Sequence, residues 1–291
     1  MKSPFSKWFS KVKFVLPVVL YLFLTQAYPL VSALFTSLTN KTIGVEGKFV
    51  GFYNYFQLFK DPLFWQTVGN SLIFALGAVI LKLIFGIIMA LVLNQQLRFI
   101  NLWRALLFLP WTISTVVTVL IFGFIFSSTG GVLNTILVKL GIIQEAIGWF
   151  STPLSAMIAV IVVNVWRGTP FFGISILSGL QAVPKEQYEA AELDGANNLK
   201  RFLFITIPSI KNVILLVCVV STIWTLNDFQ IIWVLTRGGP VNSTQVFSTL
   251  TYTTAFLNLQ LAKGIAISVT SVPIMFFLIF WVTKSIMNQR D

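Results

Sequence analysis

The sequence predicts an all-α, polytopic membrane protein with six transmembrane helices. Of the 291 residues, 56% are hydrophobic and only 10% are charged, and the mean hydropathy is +0.86. A soluble domain carries about 25% charged residues. The chain has no histidine and one cysteine, Cys218, inside an apolar run. We therefore expect no metal site and no intrachain disulfide, and the length suits a single membrane domain over residues 1–291.

Each predicted span is an apolar stretch of at least the roughly 20 residues that cross a bilayer. In chain order the spans are Phe14–Leu38, Thr67–Leu93, Trp103–Phe126, Leu154–Leu180, Ser209–Thr236 and Ala262–Met287. The basic start before the first span is typical of a signal peptide. However, the apolar run continues too far and no small-residue cleavage site closes it, so we expect a retained helix.

The distribution of basic residues predicts the orientation of the spans. With the N-terminus inside, the inner side holds Lys2, Lys7, Lys11, Lys13, Arg98, Arg104, Lys185, Lys200, Arg201, Lys211, Lys284 and Arg290. The outer side holds Lys41, Lys48, Lys60, Lys139, Arg237 and Lys263, half as many. Cytoplasmic loops carry the excess of Lys and Arg. We expect both termini in the cytoplasm.

A polar loop, residues 181–208, lies between the fourth and fifth predicted spans. Pro184 suits the start of a helix, and Gly195 suits its end because glycine adopts a left-handed conformation without penalty. Asn197 or Asn198 can cap a second short helix that ends before Pro208. The residues predict two short helices at an angle below the membrane. An ordinary solvated loop remains the alternative.

Several polar residues fall inside the predicted spans, where they are costly and mark pathways or pairs. They are Lys82, Asn164, Trp166, Arg167, Ser221, Trp224, Thr225, Asn227 and Asp228. Three structural interpretations stay open. Arg167 and Asp228 can form an ion pair, Trp166 and Trp224 can be packing residues, and Lys82 can snorkel or pair with a neighbour.

Four ordered motifs carry a resemblance over roughly residues 14–287. They are Phe52-Tyr53-Asn54-Tyr55 with Asp61-Pro62-x-Phe64-Trp65 and Asn70-Ser71; Arg104-Ala105-x-x-Phe108-Leu109-Pro110; Glu189-Ala190-Ala191-x-x-Asp194-Gly195-Ala196 with Ile205-x-Ile207-Pro208; and Asp228-Phe229 with Leu235-Thr236-x-Gly238-Gly239-Pro240. They resemble carbohydrate-type permease subunits of bacterial, binding-protein-dependent ABC importers, such as the maltose and glycerol-phosphate permeases. The family often has a second proline where this chain has Asn212.

The resemblance implies a type I ABC importer (MetI-like) permease fold and a mechanism. The loop with the Glu-Ala-Ala motif would dock in a cleft of a cytoplasmic ATPase subunit. Glu189 would make a polar contact there and Gly195 would set the bend. The implied coupling residues are Glu189, Ala190, Ala191, Asp194, Gly195, Ala196 and Pro208.

The resemblance also implies a sugar cavity. Spacing from the coupling loop matches Asn164, Gly168, Phe171, Ser221, Trp224, Thr225 and Asp228 to positions that line the cavity of the maltose permease. Arg167 lies beside them and would suit an acidic or phosphorylated sugar. Sugar sites combine aromatic faces with hydrogen-bonding side chains because a sugar has apolar C–H faces and a hydroxyl rim.

The implied partners complete a transporter in the bacterial inner membrane. They are a second, distinct permease, two ATP-binding subunits and an extracytoplasmic sugar-binding protein, with no nucleic acid. The chain contains no GxxxxGK[ST] phosphate-binding loop, so we expect it to be no enzyme and to hold no cofactor. ATP and Mg would be bound by the partner ATPase. Short loops such as Phe49–Lys60 and Arg237–Asn258 would contact the binding protein.

Two functions other than that of an importer permease are compatible with a polytopic membrane protein. An ion- or proton-coupled secondary transporter could use Asp228, Arg167 and Lys82 as a relay. It leaves the Glu189 loop unexplained, and no inverted repeat is visible. A membrane enzyme is disfavoured because the sequence has no histidine, no cysteine pair and no cluster of metal ligands.

Overall fold

The computed structural model describes residues 15–95 and 98–287, without the side chains at 278, 281, 282 and 285–287. Three parts of the predictions lie outside the described residues. They are Phe14 at the start of the first span, the basic residues Lys2, Lys7, Lys11 and Lys13, and Arg290.

The described residues form helices joined by short loops, with no β-strand in these ranges. In chain order the helices are α1 (Val15–Ser37), α2 (Tyr53–Lys60), α3 (Pro62–Leu93), α4 (Ile100–Thr112), α5 (Thr115–Ile125), α6 (Val132–Lys139), α7 (Pro153–Gln181), α8 (Lys185–Leu193), α9 (Asn198–Leu226), α10 (Gln230–Leu235), α11 (Phe247–Tyr252) and α12 (Leu261–Met287).

Four of these helices are long and apolar enough to cross a membrane, namely α1, α3, α7 and α9. They correspond to the first, second, fourth and fifth predicted spans. The fifth, predicted as Ser209–Thr236, ends earlier, because α9 stops at Leu226 and α10 is a separate short helix. Helix α12 has 27 residues and covers the sixth predicted span, Ala262–Met287, and its stretch Leu261–Phe277 is apolar. The total of six spans and the single-domain organisation stay predictions.

The third predicted span, Trp103–Phe126, is broken in the structure. Helices α4 and α5 meet at an angle of 92°. Neither is long enough to cross a membrane alone, and the two together form one bent candidate span. Ile113 and Ser114 between them have extended ψ angles of 135° and 138°. Pro110 lies in the last turn of α4. A proline near a helix end removes a backbone donor and favours a stop or kink, so the sequence already carried a sign of this bend.

The chain forms two compact units. The first holds residues up to Asp61 together with Thr251–Ser271. In it, the buried amide of Asn54 donates hydrogen bonds to the carbonyl oxygens of Ser37 (2.8 Å) and Thr39 (2.7 Å). The backbone N–H of Ile43 donates to the carbonyl of Leu259 at 3.0 Å. These bonds fix the loop after α1 against both α2 and the turn that precedes α12.

The second unit holds Pro62–Leu250 and the residues from Val272 onward, and its core is built on α3, α7 and α9. One apolar cluster joins the C-terminal halves of α3 and α7 to the middle of α9 through Met89, Phe172 and Ile214. A second joins the N-terminal halves of α3 and α7 to α5 and α10 through Phe74, Val160 and Ile231. The middle parts of α3 and α7 lie between these clusters.

Helices α3 and α7 approach closely at two glycines. A Cβ added at Gly86 would collide with Phe172, and one added at Gly173 would lie 2.5 Å from the sulfur of Met89. Small residues let transmembrane helices come within direct backbone contact. This contact sets the position of α7 beside α3, and therefore which side chains meet between the two apolar clusters.

Candidate functional site

A polar cavity of about 300 Å³ lies in the second unit, between the middle parts of α3 and α7 and the C-terminal end of α9. Its lining combines charged, hydroxyl and aromatic side chains. They are Lys82, Trp111, Asn164, Arg167, Gly168, Phe171, Ser221, Trp224, Thr225 and Asp228. A cavity of this size is at the lower end of the range for small-molecule sites in proteins.

Lys82 projects from α3 into this cavity and is only 4% exposed. Its ammonium group donates to the hydroxyl oxygens of Thr225 (3.0 Å) and Ser221 (3.3 Å) on α9. Gly168 makes room for it, because an added Cβ there would lie 2.8 Å from Lys82 Cε. Lys82 therefore pairs with neighbouring hydroxyls, one of the two roles expected from the sequence, and it does not snorkel.

Asp228 follows the end of α9 and lies just before α10. Its Oδ2 accepts a hydrogen bond from the Asn164 amide at 2.9 Å, and its Oδ1 accepts one from the backbone N–H of Ile231 at 3.2 Å. The second bond caps the N-terminal end of α10, where a carboxylate is favoured. Both carboxylate oxygens thus have protein donors.

Arg167 enters the cavity from α7 without an ion-pair partner in the described ranges. Its Nε is buried and makes no hydrogen bond to any described group. The guanidinium carbon lies 5.9 Å from the ring centroid of Trp111, within cation–π range. Neither Arg167 nor Asp228 forms a salt bridge within residues 15–95 and 98–287. The alternative of a structural Arg167–Asp228 ion pair is therefore wrong: Asp228 is satisfied by Asn164 and Ile231 instead.

Three aromatic rings form one wall of the cavity. Trp111 stacks on Phe171 with ring centroids 5.3 Å apart, and Trp224 lies 4.9 Å from Phe171 and 5.5 Å from Trp111. Trp166 is not part of this wall. It packs edge-on against Phe122 at 5.2 Å and lines a separate apolar groove. The packing interpretation thus fits Trp166, whereas Trp224 faces the cavity.

The cavity brings together all eight residues that sequence reasoning selected for substrate binding. Their binding of a substrate stays a prediction. Trp111 was missed, because it lies at the end of α4 beside a bend that hydropathy does not reveal. Lys82 was expected to snorkel or to pair with a neighbour and was not selected for substrate binding, since nothing in the sequence shows which helix its side chain faces.

A second candidate site is the polar loop between α7 and α9. Helix α8 begins after Pro184, and Gly195 follows its end with φ +76°. The side chain of Asn197 accepts a hydrogen bond from the backbone N–H of Lys200 at 2.9 Å, which caps the next helix. The predicted helix–Gly–helix arrangement and the Asn197 cap are present.

The end of this arrangement differs from the prediction. The helix that begins at Asn198 does not stop before Pro208 but continues through α9 to Leu226. The change of register occurs in a widened π-helical turn, Phe202–Thr206, immediately before Ile207 and Pro208. Such a turn alters the hydrogen-bond ladder, so the missing N–H of Pro208 is tolerated without a break.

Polar contacts hold α8 against the start of α9. Arg201 forms a 2.8 Å ion pair with Glu192 and also hydrogen bonds Asn198. The hydroxyls of Tyr188 and Thr206 lie 3.1 Å apart. These contacts fix the angle of the loop, while most of its implied coupling residues, Glu189, Ala190, Asp194, Gly195 and Pro208, are exposed and Ala191 and Ala196 are half-buried.

Exposed apolar side chains extend this surface. Leu193, which precedes Asp194 in the chain, is 89% exposed, and Phe204 in the widened turn of α9 is 75% exposed. Sequence reasoning did not select these two residues. An exposed apolar surface with a charged rim is typical of a protein–protein contact.

No group of three or more His, Cys, Asp or Glu side chains within residues 15–95 and 98–287 could hold a metal ion.

Comparison with known proteins decides the family. Residues 82–286 match the model of the binding-protein-dependent transport system inner membrane component family. The chain belongs to this family. The matched segment runs from Lys82 through the polar loop at 181–208 into α12, and it confirms the resemblance to ABC transporter permeases drawn from the motifs.

Named relatives agree over most of the chain. The trehalose/maltose transport system permease protein MalF of Thermococcus litoralis is 34% identical over 82% of this chain and 80% of its own length. The lactose transport system permease protein LacF of Rhizobium radiobacter is 38% identical, over 84% and 82%. The sulfoquinovosyl glycerol transport system permease protein SmoG of Agrobacterium fabrum is 35% identical, over 86% and 82%.

Solved structures confirm the fold. A chain of a bacterial ABC transporter for import of the acidic polysaccharide alginate superposes with a TM-score of 0.82 at 19% identity, covering 98% of both chains. A chain of the alginate transporter in complex with its alginate pentasaccharide-bound periplasmic protein gives the same TM-score, over 95% of this chain and 93% of that one. The all-α, MetI-like permease fold expected from the sequence is confirmed.

Proposed function

We propose that this chain is the membrane permease subunit of an ATP-driven, binding-protein-dependent importer for a sugar or sugar derivative. The cavity carries the proposal. Its wall of Trp111, Phe171 and Trp224 faces hydrogen-bonding groups on α7 and α9. A sugar presents apolar C–H faces and a hydroxyl rim, so this pairing of surfaces suits it. The sugars in the names of the relatives support the same substrate class.

The position of the cavity supports a translocation role. Apolar clusters lie at both ends of α3 and α7, and the polar side chains lie between them. Ionisable groups at such depth are retained where they line a pathway or bind a ligand. We assign contact with the sugar to Asn164, Arg167, Gly168, Phe171, Ser221, Trp224, Thr225 and Asp228.

The loop between α7 and α9 would couple the chain to a cytoplasmic ATPase. Its exposed residues Glu189 and Asp194 and the apolar Leu193 and Phe204 offer a contact surface of mixed polarity. The contacts of Arg201 and Tyr188 tie α8 to α9. A pull on the loop would therefore be passed to α9 and to the cavity residues Ser221 and Thr225 on that helix.

Partners complete the proposed transporter. ATP and Mg would be bound by two ATPase subunits, and a second permease would supply the other half of the pathway. A sugar-binding protein would dock on short loops such as Phe49–Lys60 and Arg237–Asn258. We place both termini in the cytoplasm, which puts the coupling loop on the side where ATP is available.

The test is affinity purification of the tagged chain from membranes, with variants of the coupling loop. We expect an ATPase subunit to co-purify with the native chain and to be lost from Glu189→Lys and Gly195→Pro. Glu46→Lys is the matched control, since Glu46 is an exposed glutamate on the opposite side of the predicted membrane, and it should retain the ATPase. A chain that supports uptake without any ATPase would instead favour an ion-coupled transporter.

A further inference from the structure

The charges in the cavity are unbalanced. Lys82 and Arg167 are the basic side chains of the lining and Asp228 is its one acidic side chain, so with each group in its ordinary charged form the lining has a formal excess of one positive charge. A buried charge without a partner is strongly disfavoured. An anionic ligand would balance the excess positive charge.

Hydrogen bonding shows the same excess of donors. The carboxylate of Asp228 already accepts from Asn164 and Ile231. An ammonium group has three donors, and Lys82 uses two of them on Thr225 and Ser221. Arg167 donates to no group in the described chain, and its buried Nε has no partner there. Cationic donors thus remain available while the one carboxylate is occupied.

The two basic side chains of the cavity have no anionic partner of the kind found in an ion-pair network. Neither Lys82 nor Arg167 forms a salt bridge among the described residues. The hydroxyl partners of Lys82 hold it in place but carry no charge, and the Trp111 ring beside Arg167 offers only a cation–π contact. An anionic group entering the cavity would gain charge-assisted hydrogen bonds that a neutral hydroxyl would not.

From this geometry we infer that the cavity selects an acidic sugar, one that carries a carboxylate, sulfonate or phosphate group, and that Lys82 and Arg167 bind that anionic group. This inference rests on the proposed function and narrows its substrate class. The aromatic wall would hold the sugar ring, and Asn164 with its one free acceptor oxygen would receive a hydroxyl. Lys82 is the specificity residue that sequence reasoning did not select.

The test compares matched neutral and acidic sugars on the purified transporter with its co-purified subunits. The probes are glucose against glucuronate, and a galactose trimer against a galacturonate trimer. Binding is followed by tryptophan fluorescence, since Trp111 and Trp224 line the cavity. We expect the acidic member of at least one pair to bind about tenfold or more tighter than the neutral member.

Charge-changing variants identify the groups responsible. Lys82→Met keeps the length of the side chain and removes its charge, and Arg167→Gln removes the second charge. Each should reduce the acidic preference about tenfold, while the affinity for the neutral sugar changes less. Asp228→Asn adds one net positive charge and should increase the preference. A thermal unfolding scan of each variant in detergent separates loss of selectivity from loss of folding.

The outcomes distinguish this inference from the proposed function. Equal or tighter binding of the neutral sugars, or an acidic preference that survives both Lys82→Met and Arg167→Gln, overturns the inference and leaves a sugar permease. Binding of neither member of either pair also overturns it. Loss of the ATPase subunit from the native preparation contradicts the proposed function itself, whatever the sugar preference.

Discussion

Trp111 contributes an aromatic ring to the cavity from the end of α4. Hydropathy alone predicts that α4 and α5 form one straight span. The Trp111 ring contacts both Phe171 and Trp224 and lies under the Arg167 guanidinium. A stacked aromatic pair contributes about 0.5–1.5 kcal/mol beyond its buried area. Trp111 is thus the residue most directly responsible for the aromatic wall.

Replacing Trp111 by alanine should weaken sugar binding about tenfold, because two ring contacts and a cation–π contact are lost together. The measurement is the apparent affinity for the sugar, taken from the dependence of the uptake rate on sugar concentration. Trp166→Ala is the matched control, since Trp166 lies one residue from Arg167 on α7 but lines a different, apolar groove. An equal loss of affinity in both variants would contradict the assignment of the aromatic wall.

Gly86 shows how an element is positioned by a residue that carries no chemistry. An alanine Cβ at this position would meet the side chain of Phe172 and lie 3.3 Å from the backbone nitrogen of Gly173. Overpacking of this kind costs about 1–3 kcal/mol. The contact lies between α3 and α7, the helices that carry Lys82 and Arg167.

Gly86→Ala should therefore lower the midpoint of thermal unfolding in detergent and reduce uptake, because α3 and α7 must separate. Gly69→Ala on the same helix is the control: no atom lies within 4 Å of its added Cβ, and alanine is the better helix former. If both variants unfold at the same temperature, the two helices are not in the close contact described.

Gly195 sets the bend of the coupling loop through its φ of +76°. A β-branched residue there costs about 1–2 kcal/mol in the left-handed region, whereas asparagine tolerates it. We expect Gly195→Val to reduce the ATP hydrolysis of the assembled transporter and Gly195→Asn to restore most of it.

Gly44→Val provides the control for backbone strain alone. Gly44 has φ +84° and no atom within 4 Å of an added Cβ, but it lies outside the coupling loop. ATP hydrolysis that falls equally in Gly44→Val and Gly195→Val would show that strain, and not the geometry of the loop, is responsible.

The orientation of the whole molecule can be read with introduced cysteines, because the one natural thiol, Cys218, is buried. After Cys218→Ala, Leu193→Cys on the coupling loop should react with a membrane-impermeant maleimide only from the cytoplasmic side. Leu140→Cys, an exposed position after α6, should react only from the opposite side. Labelling of both positions from one side would contradict the excess of basic residues as the guide to topology.

The sequence predicted most of this architecture because its signals are strong at the scale of a span and of a motif. Long apolar runs gave α3, α7 and α9, and Gly195 with Asn197 gave the two helices of the coupling loop. The resemblance to the maltose permease, carried along the chain from the Glu-Ala-Ala motif, selected the cavity residues, with Arg167 beside them. What failed depends on contacts between elements: the 92° bend before Thr115, the partners of Asp228 and the direction of Lys82.

The continuation of α9 past Pro208 was also missed. A proline normally ends a helix because it lacks an N–H, and only the widened turn at Phe202–Thr206 removes the conflict. The pattern of apolar residues does not encode such a turn. A prediction from local residue preferences therefore ended the second loop helix too early.

The most direct measurement is sugar uptake into proteoliposomes that contain the chain with its co-purified subunits and binding protein. Radiolabelled maltose, lactose, glucuronate and a galacturonate trimer are supplied outside, with ATP and Mg or neither inside. We expect at least one of these sugars to accumulate. Its accumulation should require ATP and should persist when ion gradients are dissipated. Accumulation of none, or ATP-independent accumulation abolished by dissipating those gradients, would contradict this expectation.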